Sequence, residues 1–542
     1  MEALTPTSGQ DARWTRATVA FIAVAAVLAL VTCSHYGITW DEEHALDQGD
    51  LVLRWYLSGF TDRRVIANAN YTFYGSLFNV LTQASQKATG FGLYETSHII
   101  NVVFGLAGVA LAAWIASTLF SPMAGLFAAV FLWLTPVYYG HSFNNPKDIP
   151  FATMALAAFA GIVACWRHLP DVPRPIWIRT GLLLGLALAM RIAGILYCGY
   201  LALSWLAWLA LRAYPFTSDR RRETLDDAGR LLVTGVKIAV IAWVVMVVFW
   251  PNAQVLPLRG PWRALRAAAH FPDYDGDVRF LGMDVPSTQL PWTYAPVWFA
   301  VTLPEFYAVA AVAGAFAVWW NRQALMRLVH PKETALIVLL MVTAVAPVVS
   351  AIVLKSVLYD GIRHLLFIVP ALAILAGISV AALLGGTGNP SVKAAVMVLV
   401  GVSVAATAAD MVRLHPYESV YFNRLVGGGL RSASSRFETD YWGQSYKEGL
   451  EWMMAEYRPA TGDPIRVANC SEPFQTSYYL SKTPDRRSRY IPVTMDDHPN
   501  VVLATTRGSC HTRTPGRVLH VVERMGTPLC YVIEVEPPRA AL

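Results

Sequence analysis

Charge is what this sequence has least of. Only 15% of its 542 residues are Asp, Glu, Lys or Arg, while 55% are hydrophobic; a soluble globular chain carries about a quarter charged residues. Mean hydropathy is +0.41. The deficit is concentrated, which excludes an ordinary soluble fold. From Ala17 to Met411, long apolar runs alternate with short polar stretches. A helix needs about 20 mostly apolar residues to cross a bilayer, and about eleven runs meet that length. They lie near 17–35, 97–119, 121–140, 149–166, 177–194, 195–212, 231–250, 296–320, 335–354, 364–385 and 392–412. No clear polar loop divides the stretch 177–212.

Other absences narrow the function. No G-x-x-x-x-G-K-S/T loop is present, so direct use of ATP has no support. Gly427–Gly429 lack the strand–helix setting of a nucleotide fold. No internal repeat of the kind common in transporters is visible. The first apolar run has no clear small-x-small cleavage site followed by a soluble domain, so it is expected to remain as a span. Cysteines number six. Cys33, Cys165 and Cys198 lie in apolar runs and suit packing. Cys470, Cys510 and Cys530 lie in the tail, where an odd count permits one disulfide and leaves one thiol, with no pairing favoured by the sequence.

The placement of the basic residues sets an expected orientation. With the N-terminus inside, the inner loops carry Arg13 and Arg16; Arg167, Arg174 and Arg179; Arg212, Arg220, Arg221, Arg222 and Arg230; and Arg322, Arg327 and Lys332. This fits the positive-inside rule, although Arg63, Arg64, Arg259, Arg263 and Arg266 fall in outer loops. The expected organisation is a transmembrane catalytic domain over 1–415 and a small α+β extracytoplasmic domain over 416–542. The tail shows strand-like runs at Asn500–Thr506, Arg517–Glu523 and Leu529–Glu536, with an amphipathic helix near Ser445–Tyr457. In the first outer loop, amphipathic stretches near 44–59 and 72–88 are too polar to span and read as interfacial helices.

The polar chemistry gathers at the outer ends of the runs. Asp41, Glu42 and Glu43 follow the first span; consecutive helical side chains cannot share one face, so one acid should point inward. Asp41 opening a helix is the plain structural alternative. Asp148 stands in Asn144-Asn145-Pro146-Lys147-Asp148-Ile149-Pro150, a rigid polar turn at the mouth of a span. Ionisable groups at membrane depth are costly, so by default they mark function. Arg191 lies within an apolar run, and Arg363 and His364 enter a late span in Tyr-Asp-Gly-Ile-Arg-His-Leu-Leu. A guanidinium binds phosphate through a planar fork and keeps its charge, although an arginine at a span end can also be a snorkelling anchor. A sugar linked to a lipid phosphate has a leaving group that needs positive charge, and the acceptor hydroxyl needs a base.

These motifs, in this order, resemble the GT-C superfamily of membrane glycosyltransferases. The likeness rests on the acids after the first span, the Asp-x-Pro at Asp148 and the Arg363-His-Leu-Leu-Phe-Ile-Val-Pro-Ala-Leu-Ala run. Leu290-Pro-Trp-Thr-Tyr-Ala-Pro-Val-Trp298 and Phe437-Glu-Thr-Asp-Tyr-Trp-Gly443 add to it. Within GT-C the chain is similar to glycosyltransferase family 39, the protein O-mannosyltransferase and lipid A aminoarabinose transferase branch, over about 1–445. The resemblance implies a polyprenyl-phosphate sugar donor, a hydroxyl acceptor (glycolipid, polysaccharide or protein) and inversion, at the outer face of a bacterial inner membrane. By position it implies Asp41 as general base, with Glu42 as fallback, and Asp148 as the second acid. It assigns donor phosphate to Arg363, with His364, Arg191, Lys147 and a first-loop basic residue, Arg64 or Arg63, beside it. Trp40, Asn144 and Asn145 are the candidate contacts for sugar or acceptor. No cofactor is implied; relatives differ over a divalent metal, and with no His/Asp cluster demanding an ion a metal is not favoured. The competing expectation is a transporter or flippase of lipid-linked sugars, for which charges near mid-bilayer would be expected.

Overall fold

The computed structural model describes residues 9–68, 73–214, 217–269, 274, 276–328, 331–458, 464–482 and 489–535, with the side chains of 320–328, 331 and 332 outside that description. Arg322, Arg327 and Lys332 of the expected inner loops therefore lie outside the described side chains. Eight described helices are long and apolar enough to cross a membrane: Gly9–His35, Leu93–Leu119, Asp148–Trp166, Ile192–Ala213, Ser218–Val248, Glu333–Val353, Arg363–Gly386 and Pro390–Leu414. Two bent pairs raise the count to ten if each is one span: Pro122–Trp133 with Pro136–Asn144, bent by 65°, and Tyr294–Thr302 with Glu305–Trp319, bent by 100°. The chain is a multi-pass helical membrane protein.

Ten of the eleven expected spans are thus matched among the described residues by single helices or bent pairs, and the reasons for the bends and for the eleventh are local. Proline lacks an N–H and pushes the residue before it out of the helical region. Thr135, before Pro136, and Leu303, before Pro304, both adopt extended backbone, at ψ 107° and 133°. The remaining run, 177–194, forms Arg174–Met190, a helix of 17 residues that stops at Arg191 in extended backbone. Such a length lies at the short end of the range of about 17–25 residues that crosses a bilayer.

Burial separates inner from outer helices. In an apolar 18-residue stretch of each helix, 89% and 83% of residues are buried in Asp148–Trp166 and Arg363–Gly386, against 22% in Gly9–His35 and Ser218–Val248. The outer helices present Val24, Val31, Val233 and Val240 to their surroundings, as expected of helices that are apolar all round and face lipid. Small residues bring the inner helices together; a Cβ on Gly377 would stand 2.7 Å from the Ala124 carbonyl oxygen.

Between the first two spans, helices Trp40–Leu57 and Leu77–Thr89 take the place of the two expected amphipathic stretches. A hairpin of β1 (Asp277–Phe280) and β2 (Met283–Pro286) lies between helices Arg259–Ala269 and Tyr294–Thr302. The C-terminal sheet region holds β3 (Ile465–Asn469), β4 (Tyr490–Pro492), β5 (Val501–Thr505), β6 (Gly516–Arg524) and β7 (Thr527–Val535), in the order β4-β3-β5-β7-β6. β4, β3 and β5 run parallel, while β7 is antiparallel to β5 and β6. β5 is buried at every position, as a strand covered on both faces must be. Helix Tyr446–Glu456 covers one face, close enough that a Cβ on Gly449 would meet the Leu503 side chain at 2.8 Å.

Cys470 and Cys510 form a disulfide across 40 residues, and Cys530 is a buried free thiol. Closing a loop of that length stabilises a fold by about 2–4 kcal/mol. A dithiol reductant should therefore lower the melting temperature of the purified protein. A Cys470→Ser, Cys510→Ser double variant should start at that lower value and not respond; a double variant as stable as the oxidised wild type would remove the bond from the stability of the sheet region.

Candidate active site

The site begins with how the first outer helix starts. Thr39 is its N-cap, and Glu42, three residues on, completes a capping box: Glu42 Oε2 accepts from the Thr39 N–H at 2.8 Å. The other Glu42 oxygen lies 3.0 Å from His98 Nε2, and the side chain is fully buried. Glu42 thus faces the interior of the helix packing. Asp41 turns the other way, where Arg363 Nη1 donates to it at 2.9 Å and Lys147 Nζ stands 3.4 Å off. Burial alone would raise the Asp41 carboxyl, but Lys147 and Arg363 outweigh it and hold it well below the usual carboxylate range.

Asp148 opens the inner helix Asp148–Trp166. Its N–H donates to Asn145 Oδ1 at 2.8 Å, and Asn145 Nδ2 returns a bond to Asp148 Oδ2 at 2.9 Å. Arg191 pairs with Asp148 from the break after Met190. Arg363 Nη1 lies 3.9 Å from the same carboxylate. Arg167 caps the far end of this 19-residue helix; at 1.5 Å per residue the two ends stand roughly 28 Å apart. Arg212, Asp227, Arg230 and Asp171 form ion pairs with one another across the loops joining other helices.

Arg363 is the hub. It is 3% exposed, with Nε 3.0 Å from Asp360 Oδ2. Its guanidinium lies 4.7 Å over the Tyr359 ring and 5.2 Å over the Trp442 ring. Asp360 and Gly361 both adopt left-handed backbone (φ 58° and 69°), the turn that brings Asp360 back against Arg363. Trp442 reaches this place because Asp440 accepts from the N–H groups of Gln444 and Ser445, at 3.1 and 2.8 Å. Gly443 follows at φ 68°, where a Cβ would stand 2.4 Å from the Tyr446 ring. On the far side of Asp360, Arg507 Nη1 stands 2.9 Å from Oδ1. Four cations, Lys147, Arg191, Arg363 and Arg507, thus interleave with three carboxylates, Asp41, Asp148 and Asp360.

Two cavities meet here. A polar one of about 210 Å³ is lined by Trp40, Asp41, His44, Gln48, Tyr74, Lys147, Arg191, Tyr274, Tyr359, Arg363, His364 and Glu472. An apolar one of about 270 Å³ runs between Phe73, Phe151, Leu196, Leu265, Pro347, Leu354 and Phe367. They share Tyr74, Arg191, Tyr359 and His364. An anionic head with an apolar tail suits that junction, since the cations sit where the surroundings change from polar to apolar.

Most of the residues singled out from the sequence come together. Trp40, Asp41, Lys147, Arg191, Arg363 and His364 line the polar cavity, and Asp148 is bonded to the cations behind it. Asn144 donates to the Gly37 carbonyl at 2.9 Å and Asn145 caps Asp148; neither lines the cavity. Arg64 pairs with Asp62 at 2.6 Å, is 61% exposed and does not line the cavity either. Asp360, Trp442 and Arg507 were not singled out. Asp360 belongs to the same Tyr-Asp-Gly-Ile-Arg-His run as Arg363, and an acid so close in sequence to that arginine was the signal for it. Arg507 carried no local signal. Among the described residues no group of three or more His, Cys, Asp or Glu side chains could hold a metal ion.

Glu438, 7% exposed beside this cluster, has its carboxyl pushed up to about 7 by burial and by Asp360, against the pull of Arg507. An unfolded Glu titrates near 4.3. The folded chain therefore holds the extra proton across that window, and stability should fall as pH rises from about 4.3 toward 7. Melting curves in detergent at pH 5 and pH 8 should show the drop for wild type and a smaller one for Glu438→Gln; identical slopes would remove Glu438 as its source.

No protein-family model matches the chain, and no curated protein matches it. Solved structures resemble it, two of them as follows. One is ArnT from Cupriavidus metallidurans bound to undecaprenyl phosphate, at 16% identity and a TM-score of 0.49, covering 95% of this chain and 97% of that one. The other is the archaeal oligosaccharyltransferase AglB from Archaeoglobus fulgidus in complex with an inhibitory peptide and a dolichol-phosphate, at 11% identity and a TM-score of 0.48, covering 92% of this chain and 70% of that one.

Proposed function

We propose that the chain is an inverting glycosyltransferase that moves a sugar from a polyprenyl-phosphate donor to an acceptor hydroxyl. The observation that carries this reading is the cluster of four cations and three carboxylates at the junction of a polar and an apolar cavity. The polyprenyl tail would lie in the apolar cavity, its phosphate against Arg191, Arg363 and Lys147, and the sugar in the polar cavity under Asp41. Arginines suit this task because they neutralise the leaving phosphate without having to give up a proton.

Asp41 would act as general base, and its present partners make donor binding part of the chemistry. With Lys147 and Arg363 both on it, Asp41 is a poor base. A donor phosphate competes for the same two cations. As they turn to it, the carboxylate gains basicity, so the base is active when the donor is in place. The acceptor O–H bond then breaks toward Asp41 while the hydroxyl oxygen bonds to the anomeric carbon, and the polyprenyl phosphate leaves with the electron pair of the broken C–O bond.

The reading includes a transmembrane catalytic domain over 1–415 and a sheet domain over 416–542, with the site and the sheet on the outer face of a bacterial inner membrane. The Cys470–Cys510 disulfide supports an oxidising compartment for the sheet. The test is transfer by purified protein in lipid, offered radiolabelled polyprenyl-phosphate sugars with a membrane extract as acceptor. Label in a new product establishes the class and marks the acceptor. Intact donor crossing the bilayer with no new product would make the chain a transporter.

A further inference from the structure

We infer that Arg507, delivered by the C-terminal sheet region, is a positioning residue for Arg363, acting through Asp360. The inference rests on the proposed donor-phosphate site and names what holds that site in shape.

Arg507 follows β5 and begins a tight turn, with Gly508 and Ser509 both in left-handed backbone (φ 54° and 56°). The next residue, Cys510, is tied by the disulfide to Cys470, just past the end of β3. The turn is thus pinned to the sheet on one side, and its arginine reaches away into the membrane-domain cluster. Arg507 Nη1 stands 2.9 Å from Asp360 Oδ1 and donates to the Tyr441 carbonyl at 2.7 Å. Nη2 donates to the Tyr274 hydroxyl at 3.0 Å, and the guanidinium lies 4.7 Å over the Trp40 ring. Arg507 does not itself line the polar cavity, but Trp40 and Tyr274 do.

Asp360 is what makes this more than a packing contact. It is fully buried, and neither of its oxygens accepts a well-aligned hydrogen bond. A buried carboxylate needs compensation, and here two guanidinium charges, one on each oxygen, supply it. Burial pushes the Asp360 carboxyl up, and Arg507 and Arg363 both oppose that. Remove Arg507, and Asp360 keeps only one guanidinium against its burial, which favours the protonated carboxyl. The Nε side of Arg363 then loses its ionic anchor, and the fork that points Nη1 at Asp41 is free to turn. The sheet region thereby sets the geometry of a cation that sits on the first turn of a membrane span.

The experiment measures binding of undecaprenyl phosphate to the purified full chain in detergent, with transfer kinetics alongside. Arg507→Gln should weaken binding about tenfold or more, in the range measured for coupled neighbours, and raise KM more than it lowers kcat. Arg507→Lys, which keeps the charge opposite Asp360, should recover most of that loss. In an Asp360→Asn background, Arg507→Gln should change binding by less than about twofold, because the charge it supports is gone. Wild-type binding by Arg507→Gln overturns the inference, as does a lysine variant as weak as glutamine or a full loss in the Asp360→Asn background. If Arg507→Gln does not fold, the Asp360→Asn, Arg507→Gln pair removes the cation together with the carboxylate opposite it, and its comparison with Asp360→Asn alone decides in the same way. A wild type that binds no undecaprenyl phosphate would instead overturn the proposed function.

Discussion

Asp41→Asn is expected to lose transfer by about 10²–10⁴-fold, the usual contribution of a positioned general base, while binding undecaprenyl phosphate at least as tightly as the wild type. The two halves of that expectation come from the same pair of contacts. Asparagine fills the volume of aspartate but cannot take the acceptor proton. It also ceases to hold Lys147 and Arg363, which in the free protein stand 3.4 and 2.9 Å from the carboxylate. Those cations are then free for phosphate before any competition with Asp41. A pH profile adds a second signature. kcat/KM reports the free protein and kcat the occupied one. In the free protein Asp41 is held ionised far into acid, so kcat/KM should keep its value as pH falls. kcat, measured with phosphate drawing the cations away, should fall off at a higher pH. Transfer within a few-fold of wild type would remove Asp41 as base. Parallel loss of binding and transfer would make it a structural counter-ion.

The parts of this fold that were legible in the sequence are those set by one-dimensional pattern. Apolar length marks spans because the bilayer demands it, and eight described helices answer to that rule. Hydropathy could not see the bends at Thr135–Pro136 and Leu303–Pro304, since the runs remain apolar through them; only the prolines mark those breaks. The stop at Arg191 had the same character, a polar residue inside an apolar run that proves to end a helix. β6 and β7 announced themselves as β-like runs in the tail. So did β5, whereas β3, of the same length, did not, because Arg466 and Asn469 interrupt its apolar run, and β4 did not because it is only three residues long.

The site divides along the same line. Which acid of Asp41-Glu42-Glu43 faces the cavity was open from composition, yet Thr39-x-x-Glu42 is a capping-box pattern that commits Glu42 to the helix start and leaves Asp41 free. Asn144 and Asn145 looked like sugar contacts because amides often are. In this loop they satisfy Gly37, Lys147 and Asp148 instead, since a polar turn buried against helices must first pair its own backbone. Arg507 was illegible for a different reason. Its partners Asp360, Tyr441, Tyr274 and Trp40 come from separate parts of the chain, and no local pattern can signal a contact that only the docking of sheet on bundle creates.

Arg363 is where that docking and the membrane helices converge, and its substitution should have the largest combined effect on stability and binding. Arg363→Ala leaves Asp41, Asp148 and Asp360 in place with one cation fewer among them, all three at most 15% exposed. Breaking a buried pair by removing one partner typically costs about 3–5 kcal/mol, so the variant should melt well below wild type. Its donor binding should fall further than that of Arg363→Lys. Lysine restores the charge but is a single point, whereas Arg363 uses Nη1 for Asp41 and Nε for Asp360 at once. The lysine variant should therefore keep much of the stability and lose the orientation, with transfer falling more than binding. Adding Asp360→Asn to Arg363→Ala separates the two roles. It removes the carboxylate most exclusively served by Arg363 and Arg507, so melting should recover in part, while binding of undecaprenyl phosphate should not. Recovery of both would mean that Arg363 only balances buried charge. Equal loss of binding in the alanine and lysine variants, with the lysine variant folded, would assign the phosphate contact to the planar fork.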